Sequence, residues 1–221
     1  EKKNWVDTLG LRAFALFKKK KMAIFFIFSM MLGMSLQITN AFADGYIRSF
    51  GENPIYQGTF GVDHSVMLIS LSQISETLCI LLIPFFLKRF GIKKVMLISM
   101  FAWVLRFALL GAGNPGAGVW MFVLSMIVYG VAFDFFNISG SLFVEKETDE
   151  SIRSSAQGVF MIMTNGFGAF IGSYAAGAIV DTYAWPNSWY IFAAYSLVVA
   201  ITFALVFKYK HDPNAIGEIK H

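Results

Sequence analysis

Two carboxylates stand inside apolar segments of this sequence, Glu76 and Asp134, and each has polar or aromatic neighbours at helical spacing. Gln73 precedes Glu76 by three residues, which puts both on one face of a helix. In "VYGVAFDFFNISG" Tyr129 and Phe133 are four apart, and Asp134 and Asn137 are three apart. Gln37 and Asn40, in "SLQITN", repeat the three-residue spacing. Amides read donor and acceptor patterns, carboxylates accept from hydroxyls, and aromatic faces stack on flat groups. Together these residues suit a flat, hydroxylated, mostly uncharged ligand. Glu76 shares its face with Gln73 and is well placed to hold hydroxyls.

The elements that must position these residues are membrane-spanning helices. Of 221 residues, 57% are hydrophobic and only 14% charged, against about 25% charged in a soluble domain. The mean hydropathy is +0.61. A span needs about 20 apolar residues, and six segments qualify, roughly 22–43, 64–87, 95–112, 118–144, 154–181 and 188–207. The predicted fold class is an all-α membrane protein of six transmembrane helices. Residues 1–21 form a cytoplasmic amphipathic and basic segment, 22–207 the half-bundle, and 208–221 a cytoplasmic tail. The connection 44–63, with Gly45, Gly51, Pro54 and Gly58, reads as an irregular loop. The chain begins at Glu1 and reads as a piece of something longer.

Orientation follows from Lys and Arg, which accumulate on the cytoplasmic side. Of 18 such residues, 16 fall in the segment before the first span, in "KRFGIKK", in 145–153 or after residue 207. Only Arg48 lies in the opposite loops, and Arg106 lies within a span. Both ends are therefore expected in the cytoplasm. Lys18–Lys21, an apolar run and "AFA" before Asp44 also outline a secretory signal with its cleavage site. Twenty-one residues precede that run, which is unusual for a signal.

A central carboxylate costs about 2.5–3.5 kcal/mol to insert and usually faces the bundle interior or a watery cavity. Amides also join helices to each other, so any one of these could be such a contact. Three helices that each offer polar side chains on one face are better explained by a polar cavity. Asp181 falls at a span end and is set aside. Arg106 reads as a structural partner for a carboxylate or for helix-end carbonyls. Gly168 and Gly172, and Ser173 and Gly177, have the spacing of close helix packing. One cysteine, Cys79, excludes an intrachain disulfide, and three scattered histidines argue against a metal centre. "SGS" (139–141) has no in-membrane base to activate a serine. No enzyme, no cofactor and no nucleic-acid partner is expected.

"KKMAIFFIFSMMLGMSLQITNAF", "SLSQISETLCILLIPFFLKRFGIKKVMLIS", "FAWVLRFALLGAG", "MIVYGVAFDFFNISGSLFVEKE" and "SSAQGVFMIMTNGFGAF" resemble, in order, the carboxy-terminal half of bacterial nucleoside:proton symporters of the major facilitator superfamily. "FLKRFGIKK" is similar to the superfamily's cytoplasmic loop motif, with Lys88 where an aspartate is usual. The resemblance implies a twelve-span transporter of the bacterial inner membrane with substrate between two six-helix halves. It implies nucleosides as ligands, the proton as coupling ion with Asp134 first and Glu76 second as candidates to carry it, and an amino-terminal six-helix half as partner. It implies Gln37, Asn40, Gln73, Glu76, Tyr129, Phe133 and Asp134 as substrate residues, and "AFA" as a chance match. The rivals are a carrier of another hydroxylated solute such as a sugar, or a six-span scaffold or receptor.

Overall fold

The computed structural model describes residues 11–210, and among these the regular structure is entirely helical. The outer parts of the two flanking segments, with His211 and His221, lie outside the described residues. A 3-10 helix, Leu11–Lys18, turns Ala13 and Leu16 inward, as its amphipathic pattern predicts. Helix α1 follows at Lys20–Ser49. It runs on to Ser49 rather than ending at residue 43, so "AFA" lies inside continuous helix and Ala43 is buried. The expected loop shrinks to a 3-10 turn, Phe50–Glu52, and a single helical turn, Phe60–Asp63.

Helix α2, Ser65–Ala112, has 48 residues. At ~1.5 Å per residue it would measure about 72 Å if straight, more than twice the ~30 Å hydrocarbon core. Gly91 folds it, with φ 81° and ψ 171°, a conformation that only glycine adopts readily. The two arms, 65–90 and 92–112, both pack on α3, Val119–Glu147. Ser75 on the first arm donates to the Ile127 carbonyl. Ser99 on the second donates to the Ala132 carbonyl at 2.5 Å. Hydroxyls that bond across helices in this way help join them where water is absent.

The fifth span is α4, Glu150–Met161, a π-helical stretch, Ile162–Gly168, and α5, Ala169–Tyr183. The sixth is α6, Asn187–Val206. Among the described residues five helices are long and apolar enough to cross a membrane, and the fold at Gly91 divides one of them into two arms, consistent with six crossings.

The glycine pattern in the fifth span is half realised. A Cβ at Gly168 would stand 2.5 Å from the Met30 carbonyl oxygen, and one at Gly172 2.8 Å from Met34 Cα. The fifth span therefore meets α1 backbone to backbone, with Gly33 set against Thr164. The Ser173–Gly177 pair does not pack this way among the described residues. Ser173 is exposed, and a Cβ at Gly177 would meet nothing within 4 Å.

The two ends of the bundle differ. At one, Lys21 pairs with Glu147 at 3.0 Å and sits 5.1 Å over the Tyr209 ring, and Lys93 Nζ donates to the Ala204 carbonyl at 3.0 Å. At the other, Tyr46, Trp185, Trp189 and Phe122 form an aromatic cluster.

Candidate functional site

A cleft of about 270 Å³ opens between α1, α2 and α3. Helical spacing builds its walls. Asn40 and Asp44, four apart, present one face of α1 together with Thr39 and Ala43. Ile69, Ser72, Gln73 and Glu76 present one face of the first arm of α2. Arg106, from the second arm, and Tyr129, from α3, complete the lining. Gly130 lets the carboxylate wall approach the aromatic one, because it has no Cβ to strike Ser75.

Arg106 is 2% exposed and fixed from several sides. Its Nε donates to Thr39 Oγ1 at 3.2 Å, and its Nη1 to the Ser125 carbonyl at 2.8 Å. Its guanidinium lies 4.9 Å from the centroid of the Tyr129 ring. Among the described residues it has no carboxylate partner within ion-pair distance. Its partners are therefore a hydroxyl, a mid-helix carbonyl and an aromatic face, rather than the carboxylate or helix-end carbonyls that the sequence suggested. A desolvated cation over a ring is worth about 2 kcal/mol, so Arg106 and Tyr129 hold each other in place. Trp103 meets Tyr129 edge-on at 6.0 Å, and Phe133 stacks parallel to it at 5.8 Å.

Of the seven residues singled out in the sequence, Asn40, Gln73, Glu76 and Tyr129 line this cleft. Gln37 stands one turn along α1 from Asn40, half-buried, and lines no described cavity. Phe133 borders a neighbouring small apolar crevice with Leu36, Trp103 and Asn137. Asp134 is 3% exposed and forms no part of the cleft lining. Its Oδ2 is buried with no hydrogen-bond partner among the described residues.

Two charged lining residues escape the sequence pattern. The sequence places Asp44 in a loop, but α1 carries it into the cleft, paired with Arg48 at 3.0 Å. Its spacing of four from Asn40 is the available signal. The sequence marks Arg106 as structural, yet it lines the cleft as well. No cluster of metal-ligating side chains occurs among the described residues.

The arrangement can bind a flat molecule against Tyr129, offer amide donors and acceptors to its edge, and accept hydroxyls at Glu76. The sequence matches the family described as Nucleoside H+ symporter over residues 1–212. It is 56% identical over 227 residues to the nucleoside permease NupG of Escherichia coli (strain K12), covering 99% of this chain and 54% of that one. It is 54% identical over 220 residues to the xanthosine permease of the same organism, covering 96% and 52%. A crystal structure of the nucleoside transporter NupG superposes with a TM-score of 0.86 at 56% identity, covering 94% of this chain and 53% of that one. The chain thus spans about half the length of the relatives it matches.

Proposed function

This chain belongs to the Nucleoside H+ symporter family, and we propose that it supplies the carboxy-terminal six-helix half of a transporter that brings nucleosides into bacteria together with protons. The observation that carries this reading is the mid-span cleft, whose polar lining comes from four different crossings: α1, both arms of α2, and α3. An amide pair, a carboxylate and a held aromatic ring match a base, a ribose and a stacking face. Asn40, with Gln37 at its margin, reads the base edge. Gln73 and Glu76 hold ribose hydroxyls, and Tyr129 with Phe133 forms the wall. An amino-terminal half closes the cleft from the opposite side, and rocking of the halves alternates access. The lysine-rich end faces the cytoplasm of an inner membrane by the positive-inside rule.

Asp134 carries the coupling proton in this scheme. It is buried on α3, outside the lining that includes Glu76. Ligand binding in the cleft and proton loading at Asp134 are therefore separable by substitution.

The test uses the full-length transporter in liposomes with an imposed pH gradient, beside calorimetric binding. Asp134→Asn keeps nucleoside binding and loses uphill uptake, whereas Glu76→Gln weakens binding. Uphill uptake by Asp134→Asn would move the proton carrier elsewhere. Competition by glucose as effective as by uridine or adenosine would replace nucleosides with another hydroxylated solute.

A further inference from the structure

A cavity larger than the mid-span cleft lies elsewhere in the bundle. A pocket of about 530 Å³ lies at the end of the bundle opposite the lysines, where the connections after α1, α2 and α5 meet. Small-molecule sites typically occupy about 300–1,000 Å³, so this pocket has the size of a site.

Its wall is a run of rings. Trp185 and Tyr46 stand 5.1 Å apart, Tyr46 and Phe50 5.1 Å at 69°, and Phe50 and Tyr56 5.2 Å at 89°. Edge-to-face contacts of this kind hold each ring plane in place. The backbone leaves space for them. A Cβ at Gly116 would stand 3.1 Å from Tyr56 Cε1, and one at Gly111, which lines the pocket, 3.1 Å from Tyr190 Cε1.

The polar groups are also arranged for a ligand. Asn114 Oδ1 accepts from the backbone N–H groups of Gly116 and Gly118 at 2.9 and 3.0 Å. That fixes the amide, and its Nδ2 donates to no protein acceptor among the described residues. The hydroxyls of Tyr46 and Tyr56 likewise have no hydrogen-bond partner there. Glu52 at the rim is exposed and can accept hydroxyls. An alkyl cation would use the rings and Glu52 but leave the amide and phenol donors without acceptors. A heterocycle with ring nitrogens or carbonyls uses all of them.

We propose that this pocket is a second substrate site, which takes a flat, uncharged, hydroxylated heterocycle of the nucleoside class before it passes to the mid-span cleft. The proposal rests on the nucleoside-transport reading and adds a place of first capture to it. The pocket and the cleft share no lining residue, so variants separate them cleanly.

The experiment is equilibrium dialysis of radiolabelled uridine and of adenosine against the full-length transporter in detergent. The wild type binds two molecules per transporter. Tyr56→Ala empties the wall and Ser49→Trp fills the pocket, and each lowers the count to one while the remaining affinity stays unchanged. The two act in opposite directions on packing, so a folding defect in one does not mimic the other. Glu76→Gln leaves the outer molecule bound and weakens the inner one. A single molecule in the wild type, weakened by Glu76→Gln and indifferent to Ser49→Trp, overturns the second site and leaves the transport reading standing. Failure of the wild type to bind either nucleoside overturns both.

Discussion

Gly130 tests whether the approach of α2 to α3 sets the geometry of the cleft. A Cβ built there would stand 2.6 Å from the Ser75 backbone carbon and carbonyl oxygen. Ordinary contact begins at 3.4 Å, so alanine requires the helices to part by about 0.8 Å, the difference of those two distances. Overpacking of this kind costs about 1–3 kcal/mol. The displacement acts one residue from Tyr129 and one from Glu76, at the buried contact between the two walls of the cleft. Positional errors near 1 Å in a site that must hold a ligand in register cost up to about 10²-fold in rate.

The expected result for Gly130→Ala is a lower thermal midpoint in detergent and nucleoside uptake reduced at least tenfold, on the order of 1.4 kcal/mol. Gly177→Ala is the control, because its Cβ would meet nothing within 4 Å. Alanine is the better helix former by up to about 1 kcal/mol, so this variant should be neutral or slightly more stable. Wild-type stability and uptake in Gly130→Ala would refute the reasoning, since a contact at 2.6 Å cannot be absorbed without movement of a wall.

Arg106→Met removes the hydrogen bonds to Thr39 and Ser125 and the cation over Tyr129. Losing hydrogen bonds from a charged donor costs about 1.5–3 kcal/mol, so the thermal midpoint should fall while nucleoside affinity of the folded protein, measured by calorimetry, falls several-fold; unchanged affinity would deny that Arg106 holds the ring. Asn40→Ala and Gln73→Ala should each weaken binding about two- to tenfold, as loss of a 0.5–1.5 kcal/mol hydrogen bond implies. Gln37→Ala should do less, because Gln37 lines no described cavity, and a larger loss there than at Asn40 would reverse the assignment. Single cysteines at Asn53 and Ala117 should react with an impermeant maleimide in intact cells, and those at Lys88 and Glu145 only after permeabilisation. These four positions are exposed.

The crossings and the polar faces of the site were legible because each depends on a short-range pattern. Apolar runs of about 20 residues mark spans, and residues three or four apart share a helix face. Gln73 and Glu76 illustrate this, since spacing alone placed both in one wall. What pattern could not supply was relative depth and register between helices. Asp134 follows Phe133 directly, yet it lies buried outside the lining while Tyr129, five residues earlier, lines the cleft. That difference depends on how α3 is rotated against α2, which the Gly130–Ser75 contact settles. Asp44 was missed for a related reason. Gly45 reads as a helix breaker in isolation, but α1 continues through it to Ser49.

The exposure of the cleft residues follows the same logic one level higher. Arg106 and Tyr129 are held from below, whereas Asn40 and Gln73 stand exposed at the mouth. A bound small molecule typically loses 70–90% of its surface to the protein. A cleft of about 270 Å³ open along Asn40 and Gln73 gives it one side only. Amide hydrogen bonds to a ligand gain strength as water is excluded, so on the proposed reading these two residues bind well only once a second wall arrives. Closure would then be driven by the ligand, because it alone completes the hydrogen bonds that both walls offer. A ligand that reaches Tyr129 but leaves Asn40 and Gln73 unpaired should bind the open cleft and fail to drive that closure.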